Sequence, residues 1–155
     1  MIVTSQTVPL RTRDPLRILS LILVVIGIGI SGYLSYVKLT NTQIVCLESE
    51  SISCDVVQNS VYSKIAGIDI AYLGLLAYLG LGALLVLENR ITLLQEYGRA
   101  LIFGGALFAF LYALWLIYVQ AALLNAFCTW CLAHEVNITV LFVVSGVRLW
   151  QFLRD

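Results

Sequence analysis

The sequence predicts an all-α integral membrane protein: a four-transmembrane-helix bundle, with an outer loop carrying a short helix between helices 1 and 2. Three observations predict it. Of 155 residues, 61% are hydrophobic and only 12% charged. A soluble domain is about half apolar and about a quarter charged, and a chain this short has no core large enough to hide the excess. Lipid is therefore the solvent for most of it, in one domain over residues 1–155. The apolar residues also fall in uncharged runs of bilayer length. Finally, the Lys and Arg residues between the runs fall mostly on one side of the implied topology.

Residues 1–17 are polar, carry Arg11, Arg13 and Arg17, and include a Pro15 that marks a helix start. They resemble the basic end of a signal peptide. The run that follows, Ile18 to Val37, is twenty residues without a charge. That exceeds the apolar stretch of a signal peptide, and no small-residue cleavage site closes it. It is the first span, expected over about 18–37. Gly27, Ser31 and Ser35 recur along it every four residues. Such a stripe lets a second helix approach closely.

Residues 38–69 form the polar outer loop, with Cys46 and Cys54. It is too long for a simple turn. A short helix is expected near Cys54–Lys64, started by Ser53 or Asp55. The second span is expected over 70–87, with Asp69 at its N-cap position, and residues 88–98 read as a short polar turn. Ala100 to Ala133 then runs thirty-four residues uncharged, too long for one crossing. A break near Leu124–Phe127 divides it into a third span of about 100–123 and a fourth of about 128–148. Gly105, Ala109 and Ala113 make a second small-residue stripe.

With the N-terminus inside, Arg11, Arg13, Arg17, Arg90, Arg99, Arg148 and Arg154 face the cytoplasm, and only Lys38 and Lys64 face out. That is the positive-inside pattern. The protein is placed in the cell (inner or plasma) membrane with both termini cytoplasmic. The Cys46/Cys54 loop and the head of the fourth helix then share the periplasmic or extracytoplasmic side, where disulfides persist.

Net charge is zero and no basic patch appears, so nucleic-acid binding has no support. The chemistry-bearing stretch is Phe127-Cys128-Thr129-Trp130-Cys131. A two-residue spacer lets two thiols on one helical turn close into a disulfide. At a helix N-terminus the first thiol also feels the positive end of the dipole, which favours its thiolate, the nucleophilic form. Four cysteines and one histidine do not converge as zinc ligands do, so redox chemistry is preferred to metal binding. Two pairs on one membrane face suggest a relay. One pair exchanges with a soluble partner through mixed disulfides, and the other passes electrons on within the membrane. An apolar acceptor that reaches a site near the bilayer surface points to a quinone. His134 and Glu135 follow Cys131 by three and four residues, on its face and one turn deeper. Ionisable groups inside a span point to function; these two could protonate or bind the quinone oxygens, or merely pair with each other, with Asp69 or with a helix end and steady the bundle. Phe127 and Trp130 are the aromatics placed to touch its ring. Asn137-Ile138-Thr139 matches a glycosylation pattern, but inside a span the match is chance.

Taken together, Cys46-x7-Cys54 after the first span, Ser53-Cys54-Asp55-Val56, Gly67-Ile68-Asp69-Ile70-Ala71-Tyr72-Leu73-Gly74 and the Cys128-x-x-Cys131 segment resemble the vitamin K epoxide reductase family in its small prokaryotic form, over about 16–150. The DsbB type of quinone-linked thiol oxidase carries its cysteine pairs in the reverse order. The resemblance implies a four-helix bundle around a quinone, of ubiquinone, menaquinone or vitamin K type. It implies that Cys131 sits beside the quinone and forms the charge-transfer or covalent adduct, that Cys128 exchanges with Cys54, and that Cys46 takes electrons from the partner. That partner is a thioredoxin-fold, DsbA-like protein, expected to be separate because no such domain follows residue 155. Cys131, His134, Glu135, Asp69 and Phe127 are the residues expected around the quinone. Glu135 falls where animal members carry a tyrosine, and Asp69 or Ile70 where they carry an asparagine. A non-enzymatic membrane subunit stapled by two disulfides is the alternative from another class, and a channel or transporter subunit ranks below it.

Overall fold

A computed structural model describes residues 14–155. Arg11 and Arg13 lie outside the described residues. Helix α1 runs over Pro15–Thr40. Asp14 caps it, its carboxylate accepting from the Leu16 and Arg17 backbone N–H groups, and Pro15 occupies the first turn, where its missing N–H is harmless. The helix therefore outruns the uncharged stretch at both ends. Helix α3 spans Ile70–Leu87, α4 Thr92–Tyr118 and α5 Thr129–Arg154. With the π-helical turn that extends α4, these four helices are long and apolar enough to cross a membrane. Around the bundle α1 packs on α3 and α5, and α4 packs on the same two.

The polar turn expected over residues 88–98 shrinks to 88–91. Thr92–Arg99 already belongs to α4, because Leu93, Leu94, Gln95 and Glu96 are good helix formers and the Gln95 N–H bonds the Ile91 carbonyl. The outer loop also differs from expectation. Its helix α2 stops at Cys54–Gln58, followed by a 3-10 turn at Val61–Ser63 and a hairpin pairing β1 (Lys64–Ile65) with β2 (Ile68–Asp69). The two turn residues, Ala66 and Gly67, both have positive φ, 50° and 84°. That geometry suits a two-residue hairpin, but Ala-Gly is a weak signal for it beside Asn-Gly or Asp-Gly.

The small-residue stripes do what close packing needs. A Cβ on Gly27 would lie 2.2 Å from Cε1 of Tyr78, and one on Gly105 would lie 3.0 Å from Leu81. Both stripes receive α3. Asn137 of α5 donates from Nδ2 to the Leu23 carbonyl and to the Tyr78 hydroxyl, each at 3.0 Å. One amide thus ties three helices together in the core. At the end of the bundle away from the cysteines, buried Arg148 donates to both Glu88 oxygens at 2.9 and 3.2 Å and meets Asp14 at 3.4 Å. Arg99 adds a second cation to Glu88 at 3.6 Å, and Arg17 donates to the Leu85 carbonyl at 2.7 Å. Arginines assigned to topology by the sequence also clasp the helix ends.

Candidate functional site: four cysteines over an apolar cavity

The uncharged run breaks where α4 passes into a π-helical turn over Val119–Leu124. Asn125 then adopts the left-handed conformation, with φ 49°, that ends many helices. The strand-like residues that follow are sewn to the outer loop. The Ser53 N–H donates to the Phe127 carbonyl and the Phe127 N–H to the Ser51 carbonyl, both at 2.9 Å. Trp130 donates from its indole to the Val45 carbonyl at 2.7 Å and lies tilted against Tyr33, with ring centroids 4.7 Å apart. These contacts bring the loop pair down onto the head of α5.

Cys46 and Cys54 are joined in a disulfide, while Cys128 and Cys131 are free thiols. Cys46 Sγ lies 3.8 Å from Thr129 Oγ1. Cys54 and Cys128 are both sealed from solvent. Cys128 is the N-cap of α5, its sulfur accepting from the Cys131 backbone N–H at 3.4 Å. Its hydrogen bond with the Cys131 side chain, helped by the Cys131 and Trp130 backbone N–H groups and the Gln58 amide, draws the Cys128 thiol down to about 7 against the opposing pull of burial. That favours the thiolate form at the helix head, chiefly through hydrogen bonds.

Beneath the thiols lies a cavity of about 240 Å³ between the loop and α1, α3, α4 and α5. Leu34, Leu73, Leu81, Leu116 and Ile138 line it, with Cys131, His134 and Glu135 among the polar groups. Phe108, which is 74% exposed, lines its edge, so the cavity reaches the lipid-facing surface of the bundle. His134 meets Tyr78 edge-on at 5.6 Å. Glu135 accepts from Gln120 Nε2 at 2.8 Å, and the Gln120 side-chain oxygen Oε1 accepts from the Cys128 N–H at 3.0 Å. The other Glu135 oxygen is buried without a partner.

Asp69 and Phe127, expected near the quinone, do not line this cavity. Asp69 stands at the N-cap position of α3 but makes no capping bond; its carboxylate pairs instead with Lys38 at 3.5 Å. Lys38 also donates to the Gln58 carbonyl, so it clamps α1, α2 and α3 together. Phe127 contributes its main chain to the loop, and Trp130 turns toward Tyr33, so both hold the cover rather than the cavity. Gln58 and Gln120, to which the sequence assigned no role, and Tyr78 and Tyr112, which it reads as packing or interfacial residues, all line it. Gln120 had a usable signal, as a lone glutamine deep in an uncharged run. Gln58 had none, because it lies in a loop rich in polar residues.

Residues 18–146 match the Vitamin K epoxide reductase family, most of the 155-residue chain. With four apolar helices, a loop disulfide and a free Cys-x-x-Cys pair at one end of the bundle, the chain belongs to that family of membrane thiol oxidoreductases.

Proposed function

We propose that this protein oxidises a thioredoxin-fold, DsbA-like dithiol partner and passes the electrons to a membrane quinone, so supporting disulfide formation outside the cytoplasm. The partner's thiolate attacks Cys46 Sγ, breaking the Cys46–Cys54 bond and releasing Cys54 as a thiolate. The partner's second thiol then displaces Cys46, and the partner leaves oxidised. Cys54 attacks Cys128 Sγ in the Cys128–Cys131 disulfide and Cys131 departs as a thiolate. Cys46 next attacks Cys54 and frees Cys128. The loop pair is then oxidised and the helix-head pair holds two electrons, which is the arrangement of disulfide and thiols found here.

The observation that carries this reading is the apolar cavity under Cys131, open toward lipid at Phe108 and floored by ionisable groups. At about 240 Å³ it is slightly smaller than a site of about 300 Å³ that encloses a drug-sized ligand, and suits a ring whose tail lies between helices. The buried, unpartnered Glu135 oxygen is a polar atom that a ring hydroxyl would satisfy. A quinone bound there would accept two electrons and two protons. Cys131 sits at the cavity wall as the electron-donating sulfur, while Glu135 and His134 hold or supply protons. The arginines of α1, α4 and α5, at the end opposite the cysteines, support a cytoplasmic placement for that end, with the cysteines periplasmic or extracytoplasmic.

The test is quinone reduction by a reduced thioredoxin-fold protein, run across single Cys→Ser variants and Cys131→Ala. Every cysteine variant should lose turnover, and Cys46→Ser alone should block the partner while sparing reduction by a small dithiol. Wild-type quinone turnover in Cys131→Ala would refute the reading.

A further inference from the structure

Gln58 has direct side-chain access to both free thiols. It ends the five-residue helix that Cys54 begins. Its Nε2 donates to Cys131 Sγ at 3.3 Å and reaches Cys128 Sγ at 3.9 Å. Its backbone carbonyl is held by Lys38, which is itself paired with Asp69. The amide is therefore steered from three elements onto the free thiol pair, on the wall of the cavity.

We infer that Gln58 is a further catalytic residue, whose side-chain N–H stabilises the reduced form of the Cys128/Cys131 pair at Cys131 Sγ. This inference rests on the reading of Cys131 as the sulfur facing the electron acceptor. An amide N–H donates well to an electron-rich, reduced sulfur and poorly to a disulfide sulfur. Glu135, one turn deeper on the same face, offers Cys131 only a carboxylate. Removing the donor should therefore favour the disulfide over the dithiol. The same helix carries Cys54 at its start and this donor at its end, so the segment that delivers electrons also holds them where they arrive.

The experiment equilibrates the full-length protein in detergent with a series of reduced-to-oxidised dithiothreitol ratios. It reads the Cys128/Cys131 state by alkylation and peptide mapping, without added quinone. Gln58→Leu should move the equilibrium toward the disulfide by up to about tenfold, the scale of one buried hydrogen bond, which is about 30 mV for a two-electron couple. Gln58→Glu, which replaces the donor with a carboxylate, should move it at least as far in the same direction. It also serves as the second reading should Gln58→Leu fail to fold. The state of Cys46/Cys54, mapped in the same samples, should stay unchanged.

An unaltered Cys128/Cys131 equilibrium in either folded variant overturns the inference, as does a shift toward the dithiol. Because the readout is the dithiol–disulfide equilibrium and no quinone is added, such a result is separable from failure of the proposed function, which shows as quinone turnover surviving in Cys131→Ala.

Discussion

Gly27→Ala is a single methyl added where α1 and α3 touch, and the structure fixes what that methyl meets. The new Cβ would lie 2.2, 2.3 and 2.5 Å from Cε1, Cζ and Cδ1 of Tyr78. Carbon atoms rest at about 3.5–4.0 Å, so the ring must retreat by about 1.3 Å or the helices must part. The ring has little freedom, because Tyr78 is 2% exposed and its hydroxyl accepts from Asn137. Overpacking of this kind costs about 1–3 kcal/mol, and losing the buried hydrogen bond adds about 0.5–1.5 kcal/mol. The expected loss is about 2–4 kcal/mol, read by chemical unfolding in detergent. Tyr78 also lines the cavity, so under the proposed function a displaced ring should raise the KM for quinone. The control is Tyr78→Leu, which removes the obstructing ring; in that background Gly27→Ala should change stability by less than about 0.5 kcal/mol. The reasoning fails if Gly27→Ala is neutral in the wild type, or if its effect is the same in both backgrounds.

Two further outcomes are expected. Arg148→Met leaves Glu88, whose side chain is 4% exposed, facing only Arg99 at 3.6 Å among the described residues. Breaking a buried pair from one side costs about 3–5 kcal/mol, and Glu88→Gln in the same chain should restore part of it; a loss under about 1 kcal/mol would contradict the buried network. For Cys128, whose thiol is drawn down to about 7 chiefly by its hydrogen bond with Cys131, the alkylation rate should rise with pH and level off above that value. Below it the thiolate fraction falls about tenfold per pH unit, and Cys131→Ala should move the midpoint upward; a wild-type midpoint at about 8.5, the free-thiol value, would show that the helix head gives no activation.

Much of the architecture was legible because lipid imposes simple rules. A span must be apolar, about twenty residues long and internally hydrogen-bonded, so four helices and the break near Asn125 could be read from charge-free runs alone. The stripes at Gly27 and Gly105 announced close contact, though not that Tyr78 and Leu81 of α3 would fill both. That the Cys46/Cys54 loop would meet the Cys128/Cys131 segment at one end of the bundle was legible from their spacing between the spans. The hairpin at Lys64–Asp69 was not, because Ala66 in the left-handed region is a choice local sequence disfavours and tertiary contacts support. Arg148 and Glu88 were legible as charges and not as partners, since sixty residues separate them.

Thus composition, run length and cysteine order determined the class of fold, the solvent it lives in and the chemistry it carries. Only the tertiary structure decided which polar groups face the sulfurs and the cavity, seating Gln58 and Gln120 there while turning Asp69 to Lys38 and Phe127 to the loop. Membrane insertion is governed by sums over whole segments, which a sequence displays directly. The partners of one amide or carboxylate depend on ångström-scale distances between helices remote in the chain, and these exist only once the bundle has closed.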